Sequence, residues 1–188
     1  EAKTIANKNV AIFESIISDN CPLVGIEPSA ILTFRDEYLR LADDKEKAEK
    51  LAKNVFTIEE FFKREISSNK IHSEQFSDTE KTIKIHGHCH QKSLSTIEAT
   101  FAMLNVPKNC SVTIYNSGCC GMAGSFGYEK EHYEISMQMG EDTLFPKIRA
   151  TDPNVSIAAA GTSCRHQIFD GTNRKAMHPV TILKSCFK

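Results

Sequence analysis

Apolar and polar positions follow their most regular pattern in the second half of the chain. Three short apolar runs there have the length and the β-branched content of buried strands. They lie at residues 81–86, 111–115 and 155–159. A helix-like spacing follows each run, at about 92–104, 128–149 and 164–170, and Pro179 begins a last predicted helix. Because strands and helices alternate in this way, the sequence predicts βαβ units and an α/β fold with a parallel sheet flanked by helices.

The first part of the chain has a less regular and mainly helical pattern. A helix is predicted within residues 1–19, and a short buried strand is predicted at 22–26. Ser29 is the predicted N-cap of the next helix. Thr57, with Glu60 three residues later, forms the pattern of a capping box. This part is therefore predicted to be helical with one short strand.

These patterns divide the chain into three parts. Residues 67–80 are polar and lack periodicity, so we interpret them as a connector between residues 1–66 and residues 81–188. The regular strand–helix pairs all belong to the last of these parts. Because the chain begins at Glu1 within a helical pattern, we expect it to be a piece of a longer protein.

Composition excludes several classes of protein. The 188 residues are 40% hydrophobic and 25% charged, as in an ordinary soluble domain, and no apolar run is long enough to span a bilayer. A net charge of -1 gives no electrostatic attraction to nucleic acid or to an anionic membrane. The seven cysteines do not have the spacing of a disulfide scaffold. Since there is also no secretory signal, we expect a reducing compartment, the cytoplasm, with metal-ligating thiols.

Four cysteines come directly after the three predicted strands. Cys89 follows the first strand, Cys119 and Cys120 follow the second in a glycine-rich loop, and Cys164 follows the third. The carboxyl ends of parallel strands lie along one edge of a sheet, where open α/β folds bind their ligands. Any one of these residues alone would be interpreted as an ordinary buried cysteine. Their common position instead predicts that the four thiols converge at one site.

The donor atoms of this predicted site suit a metal centre. Adjacent cysteines form a disulfide with each other only under strain, whereas a sharp turn lets both face one metal. Thiolates are the standard ligands of iron–sulfur clusters, and four of them match a cluster of the 4Fe-4S kind. Zinc also accepts four sulfur ligands. The absence of Cys-x-x-Cys pairs favours the iron–sulfur cluster, with zinc as the alternative.

Histidines beside these cysteines are further candidate ligands. His86, His88 and His90 lie at alternate positions around Cys89, and His166 lies two positions beyond the last of the four cysteines. Such histidines commonly hydrogen-bond around a metal site without binding the metal, and that role is favoured here. Of them, the candidate ligand set includes His88, His90 and His166. The remaining cysteines, Cys21, Cys110 and Cys186, are expected to be structural.

The segments around the four cysteines resemble the cysteine-rich CCG domain family. They are His86–Lys92, Gly118–Glu129 and Ala160–Ile168. The resemblance is to the branch found in the C-terminal region of large FAD-linked oxidases and in proteins like the glycolate oxidase iron–sulfur subunit. Ile26–Ala30 and Arg35–Tyr38 resemble the end of a preceding CCG unit. Residues 1–66 would then be the closing half of a first unit, and residues 81–188 a complete Rossmann-like CCG domain.

The resemblance also implies a function. It implies that Cys89, Cys119, Cys120 and Cys164 hold an iron–sulfur cluster in the electron-transfer region of a FAD-linked oxidoreductase. The substrate would be a 2-hydroxy acid such as lactate, glycolate or 2-hydroxyglutarate. The partners would be flavin and ferredoxin-like domains of the parent protein, with a quinone or another acceptor, and the location cytoplasmic or peripheral to the inner membrane. The chain has no dinucleotide fingerprint or phosphate loop, so by itself it is not expected to oxidise the substrate.

Two positions depart from the family pattern. The family's last Cys-x-x-Cys is replaced by Cys164-Arg165-His166-Gln167, so a fifth cysteine ligand is missing, and Ala30 stands where relatives often carry a cysteine. A cluster held by four cysteines and a site with a non-cysteine ligand both remain open. The alternative to the whole interpretation is a structural or docking module of a larger complex, with zinc or no metal at the site.

Overall fold

The structure is a computed structural model that describes the whole chain, residues 1–188. It consists of helices and parallel strands, which confirms the predicted α/β class. The helices are α1 (Ala2–Phe13), α2 (Pro28–Ile31), α3 (Glu37–Leu41), α4 (Lys45–Ala52), α5 (Ile58–Ser67), α6 (Cys89–Leu94), α7 (Ile97–Leu104), α8 (Tyr133–Arg149), α9 (Thr162–Thr172) and α10 (Pro179–Lys184). The strands are β1 (Leu23–Gly25), β2 (Val55–Thr57), β3 (Lys81–His86), β4 (Cys110–Ile114), β5 (Ser156–Ala159) and β6 (Ala176–Met177). No helix combines the length and the apolar character needed to cross a membrane.

A four-stranded parallel sheet in the order β4-β3-β5-β6 forms the centre of the second half. The central strand β3 places Ile85 opposite Ile114 on one side and opposite Ala158 on the other. The three predicted strands are therefore neighbours, and their carboxyl ends meet at one edge. The sequence does not predict the short strands β2 and β6, because two or three residues are too few to show an alternating pattern.

Helices cover both faces of this sheet. Neighbouring side chains of a strand point to opposite faces, and in β5 Ile157 joins a core with α8 and α9, whereas Ala158 joins a core with α7 and α10. Both cores are fully buried at their centres, as at Phe145 and Met103. The coverage of both faces explains why the strands are almost continuous apolar runs in the sequence.

A second, two-stranded sheet lies in the first part of the chain. There β1 pairs in parallel with β2, with Leu23 opposite Val55. Helices α1, α3 and α4 and the turns next to them supply the remaining core around these strands. The predicted capping box at the start of α5 is confirmed, since Thr57 Oγ1 accepts from the Glu60 backbone at 3.3 Å and Glu60 accepts from the Thr57 N–H at 2.9 Å.

Two predicted helix boundaries are wrong. Ser29 is not an N-cap, because α2 begins at Pro28 and the Glu27 carboxylate accepts hydrogen bonds from the backbone and side chain of Ser29 at 3.5 and 2.8 Å. The helix predicted at about 92–104 is divided into α6 and α7, because the Thr96 hydroxyl accepts the Glu98 N–H at 3.2 Å and so begins a new helix.

The connector predicted at residues 67–80 also contributes to the core. Phe76 is 2% exposed and stacks on Phe187, with ring centroids 4.8 Å apart. The backbone N–H of Ser77 donates to the Cys186 carbonyl at 2.8 Å. This segment is thus held against the second half of the chain, while the division into residues 1–66, 67–80 and 81–188 stays a prediction.

Arg35 fastens the first part of the chain to the second. Its guanidinium donates to both carboxylate oxygens of Glu60, at 2.9 and 2.7 Å, and to the Leu94 carbonyl at 3.3 Å. Ser95 completes the junction by donating to Glu60 at 2.6 Å. A second junction joins His178 Nε2 to the Ile26 carbonyl at 2.9 Å. Both junctions lie near the edge of the sheet where the predicted site residues meet.

Glu59 is a buried carboxylate at this boundary. It is 0% exposed, and neither of its carboxylate oxygens has a hydrogen-bond partner. Its nearest cation is His178, whose Nε2 lies 3.8 Å from Glu59 Oε1. Burial raises the pKa of Glu59 from 4.5 to about 7. Ionising this group in the folded state is therefore costly.

We expect Glu59→Gln to stabilise the protein above neutral pH. The folded pKa lies above the unfolded value, so Glu59 leaves stability intact below 4.5 and reduces it as pH rises through about 7. The wild type should then lose up to about 3 kcal/mol relative to the variant. Denaturant unfolding at pH values of about 5 and about 8 measures this difference. The exposed control Glu49→Gln should show no such pH dependence, and equal stability of wild type and Glu59→Gln at both pH values would contradict the assignment.

Candidate functional site

The four predicted cysteines line a single cavity of about 500 Å³. The cavity lies at the carboxyl edge of the four-stranded sheet, just beyond the ends of β3, β4 and β5. His88 and His90 also line it, and Ser29 reaches it from the first part of the chain. Chain segments that are far apart in sequence therefore meet in one cavity.

The thiols lie at different depths in this cavity. Cys120 and Cys164 are 3% and 2% exposed, and their sulfurs are 3.3 Å apart. Cys119 is half-buried and Cys89 is exposed. The cavity thus has a closed end at the first pair and an accessible end at Cys89.

Each cysteine is placed by the element that follows its strand. Cys89 is the first residue of α6, which begins three residues after β3 ends. Cys164 is in the first turn of α9, after the loop that follows β5. Cys119 and Cys120 lie in an irregular loop between β4 and α8. The loop needs its own support because it contains no helix or strand around the two cysteines.

A buried polar network supplies part of that support. Gly121 has φ +97°, and a Cβ there would lie 2.0 Å from the Ser136 carbonyl oxygen, so only glycine fits. The Ser136 hydroxyl donates to the Gly121 carbonyl at 3.0 Å. Gln167 on α9 in turn donates to the Ser136 carbonyl and hydroxyl, at 3.1 and 2.9 Å. The network ties the loop to α8 and α9.

Further hydrogen bonds fix the beginning of the loop. The Gly118 N–H donates to Thr143 Oγ1 at 2.9 Å, and Lys92 donates to the Ser117 carbonyl at 3.1 Å. The Ser117 hydroxyl lies 2.9 Å from His86 Nδ1. Cys119 Sγ accepts the Gly121 N–H at 3.3 Å, so the turn also orients one thiol directly.

His86 is the site residue that the predicted ligand set omits. It is 1% exposed, and its Nε2 has no hydrogen-bond partner. One ligand atom each of His86, Cys120 and Cys164 lies within 4.8 Å of the others, a spacing that suits a common metal. The signal was present in the sequence, because His86 is the last residue of β3 and therefore lies at the same edge as the cysteines.

The other histidines have separate positions. His88 is 7% exposed, lines the cavity and has an unpartnered Nδ1, and its ring packs against Gly161, where a Cβ would lie 2.3 Å from it. His90 lines the cavity beside it, with ring centroids 5.9 Å apart. The structure does not bring His166 into the cavity, because its Nδ1 is 2.6 Å from the Tyr128 hydroxyl on the exposed surface. Helix α9 thus turns this side chain away from the thiols.

Glu27 connects the first part of the chain to the helix that carries Cys164. Its carboxylate accepts the backbone N–H and the hydroxyl of Thr162, at 2.8 and 2.9 Å. Burial opposes ionisation, but the hydrogen bonds from Thr162 and Ser29 outweigh it and lower the pKa of Glu27. The carboxylate therefore satisfies an N–H at the first turn of α9, where no nearby side chain does so.

Hydrogen bonds among the thiols divide them into two kinds. Donation by Cys120 and Cys89 holds the pKa of Cys119 well below its ordinary value. A hydrogen bond from Cys120, aided by one from His86, lowers the pKa of Cys164 to about 5 despite burial. The pKa of Cys89 and that of Cys120 are raised, because each donates to Cys119 and is buried. Cys119 and Cys164 thus favour the thiolate, which is the form that binds metals.

The chain is similar to segments of two kinds of oxidoreductase. The D-2-hydroxyglutarate dehydrogenase of Haemophilus influenzae is 29% identical over 181 residues, which cover 89% of this chain and 16% of that protein. The Escherichia coli enzyme of the same name is 28% identical over 188 residues, which cover 100% and 18%. One subunit of the anaerobic glycerol-3-phosphate dehydrogenase of Escherichia coli is 24% identical over 184 residues, which cover 97% and 45%.

The chain therefore spans less than a fifth of the two D-2-hydroxyglutarate dehydrogenases and less than half of the glycerol-3-phosphate dehydrogenase polypeptide. No family model matches the chain, and no solved structure matches it significantly. What the similarities establish is a relationship to parts of larger oxidoreductases.

We expect Gly121→Ala to damage the fold of the cysteine loop far more than Gly124→Ala does. Both glycines have positive φ, but a Cβ at Gly124 meets nothing within 4 Å. Gly124→Ala should therefore cost only the backbone strain, about 1–2 kcal/mol. Gly121→Ala adds a clash with backbone and should cost about 2–5 kcal/mol in all. Denaturant unfolding of the two variants measures the difference, and equal losses would show that the Ser136 contact does not shape the loop.

Proposed function

We propose that the cavity holds an iron–sulfur cluster and that this chain is the CCG electron-transfer region of a FAD-linked oxidoreductase. The observation that carries the proposal is that thiols from three parallel strand ends line one cavity of about 500 Å³. This volume exceeds what a single metal ion needs and lies in the range of cavities that bind small molecules.

The residues of the cavity fit such a group. Cys89, Cys119, Cys120 and Cys164 supply four sulfur donors, and four thiolates are the usual ligand number of an iron–sulfur cluster. Buried polar atoms almost always have a partner. The unpartnered His86 Nε2 at this site is therefore best explained by an interaction with a bound group, as a ligand or as a hydrogen-bond donor to sulfur. When bound, the cluster would supply one-electron transfer.

The protein's own residues hold the donors in place and limit water at the closed end. The Ser136–Gln167 network fixes the loop of Cys120, and Glu27 fixes the first turn of the helix that bears Cys164. These contacts keep the buried sulfurs in place, so little rearrangement is needed when a cluster binds. Cys89 remains at the accessible end, which is where electrons would enter or leave the site.

The wider role is proposed from the CCG resemblance and from the relatives. D-2-hydroxyglutarate dehydrogenase is named for a 2-hydroxy acid substrate. We therefore propose that the parent protein oxidises a 2-hydroxy acid of the lactate, glycolate or 2-hydroxyglutarate type. Flavin and ferredoxin-like domains outside this chain would accept the electrons first, and this region would pass them to a quinone or another acceptor. Its location would be cytoplasmic, or peripheral to the inner membrane.

The second candidate function is a structural or docking module with zinc at the site. One observation favours it, which is that His86, Cys120 and Cys164 can offer three ligand atoms within 4.8 Å of one another. Three protein ligands and a fourth thiol would satisfy tetrahedral zinc. The metal content of the protein distinguishes zinc from iron directly.

Anaerobic reconstitution with ferrous iron and sulfide should load the chain with about four iron atoms. Broad visible absorption, an EPR spectrum after reduction and iron analysis would measure the loading. The double variant Cys119→Ser/Cys120→Ser should bind severalfold less iron, since it lacks two of the four thiolates. Cys21→Ser removes an exposed thiol outside the cavity and should keep wild-type loading.

A further variant protects this test from a folding defect. Cys89 is exposed, so Cys89→Ser leaves the buried packing unchanged and should still lower the iron content. Circular dichroism would verify the fold of each variant. Equal iron in the wild type and the double variant would rule out the cluster, and uptake of one zinc ion without iron would establish the zinc module. Preparation without oxygen is necessary because oxidised thiols no longer bind the metal.

In the parent protein, Cys119→Ser/Cys120→Ser should slow electron delivery to the acceptor while substrate still reduces the flavin at nearly the wild-type rate. The reason is that hydride removal requires the flavin, whereas the cluster is placed after that step. Stopped-flow absorbance of the flavin, measured with and without acceptor, separates the two processes. Loss of flavin reduction in a variant that still folds and binds FAD would contradict the relay role.

A further inference from the structure

A second pair of thiols lies at the opposite edge of the sheet from the cavity. Cys110 is the first residue of β4, whereas Cys119 and Cys120 follow the end of that strand. Cys186 follows α10, and its sulfur lies 3.9 Å from that of Cys110. The two residues are separated by 76 positions in sequence, so the tertiary structure alone brings them together.

The surroundings of this pair favour contact between the two sulfurs. Both residues belong to the apolar core formed with α7 and α10, at 8% exposure for Cys110 and 1% for Cys186. A disulfide requires the sulfurs to approach to about 2.05 Å, and rotation of the two side chains can close such a gap when the backbones are suitably placed. No other cysteine lines this part of the core.

We propose that Cys110 and Cys186 are a site of reversible disulfide formation, with a low-molecular-weight disulfide such as oxidised glutathione as the oxidant. The Cys110 thiolate attacks one glutathione sulfur, the S–S bond of the oxidant breaks, and the first glutathione thiolate leaves. The Cys186 thiolate then attacks the Cys110 sulfur of this mixed disulfide, and the second glutathione leaves. Two protein S–H bonds become one S–S bond, and the oxidant takes up the two electrons and the two protons as two thiols.

Lys81 supports Cys110 as the attacking residue. It lies opposite Cys110 in the pairing of β3 with β4, and its ammonium donates to the hydroxyl of Ser185, next to Cys186. Burial and the nearby Cys186 thiol raise the pKa of Cys110 to about 11, and Lys81 opposes this rise. The thiolate is therefore scarce, so the exchange is slow at neutral pH and is followed at equilibrium.

Local opening of the segment after α10 gives the oxidant access. This segment is held to the connector by the Ser77–Cys186 backbone hydrogen bond of 2.8 Å and by the Phe76–Phe187 stack. Phe187 is 50% exposed, so the stack is open to solvent on one side. Once formed, the disulfide would lock this segment, and with it Phe76 of the connector, to the beginning of β4. This proposal does not depend on any metal in the cavity.

Disulfide mapping of the intact chain tests the proposal. The protein would be equilibrated in glutathione buffers from reducing to oxidising, blocked with N-ethylmaleimide, digested without reduction and analysed by mass spectrometry. Cleavage after Lys108 and Tyr115 separates Cys110 from Cys119, and cleavage after Lys184 isolates Cys186. We expect a linked Cys110–Cys186 peptide in oxidising buffer that separates into its two parts on reduction.

Two variants and a thermal measurement complete the test. Cys186→Ser should abolish the linked peptide, and the matched control Cys21→Ser should retain it. Oxidation should raise the midpoint of thermal unfolding by about 5–10 °C in the wild type and in Cys21→Ser, but not in Cys186→Ser. Because mapping uses the wild type, the test holds even if Cys186→Ser folds poorly. Full alkylation of Cys110 and Cys186 in every buffer, or pairing of Cys110 with a cavity thiol, would overturn the proposal.

Discussion

The parallel pairing of β3 with both β4 and β5 is the constraint on which the candidate site depends. Because Ile85 of the central strand is level with Ile114 and Ala158, the three chains leave the sheet at the same height and on the same edge. Loops that start together in this way converge without any direct attraction among the cysteines. The apolar cores on both faces of the sheet fix this register, since a shift of one residue would exchange the buried faces of Ile157 and Ala158.

The cysteine loop shows how the rest of the molecule maintains that convergence. A loop without regular structure must satisfy its own polar groups, and here Ser136 and Gln167 do so from two helices. In contrast, His86 Nε2 and His88 Nδ1 remain buried without partners at the cavity. The protein thus satisfies the polar groups that shape the loop and leaves unsatisfied the ones that face the site. This contrast is expected where a bound group provides the missing interactions.

The first part of the chain also contributes to the site. Glu27 satisfies the first turn of the helix that carries Cys164, and Ser29 lines the cavity itself. Arg35 holds Glu60 and the end of α6, the helix that begins at Cys89. Residues 1–66 are therefore more than an appended segment, because they position two of the three elements that bear the thiols.

The sequence by itself determined the α/β class, the three principal strands and the four cysteines at their ends, because apolar runs and residue order are local properties of the chain. It did not determine the boundary between α6 and α7 or the cap at Glu27, since each depends on a side-chain hydrogen bond rather than on periodicity. Only the tertiary structure showed that His86 joins Cys120 and Cys164, that His166 points away, and that Cys110 lies beside Cys186. The physical reason is that these relations depend on how strands pair and on which way a helix faces. Both are decided by packing among residues that are distant in sequence.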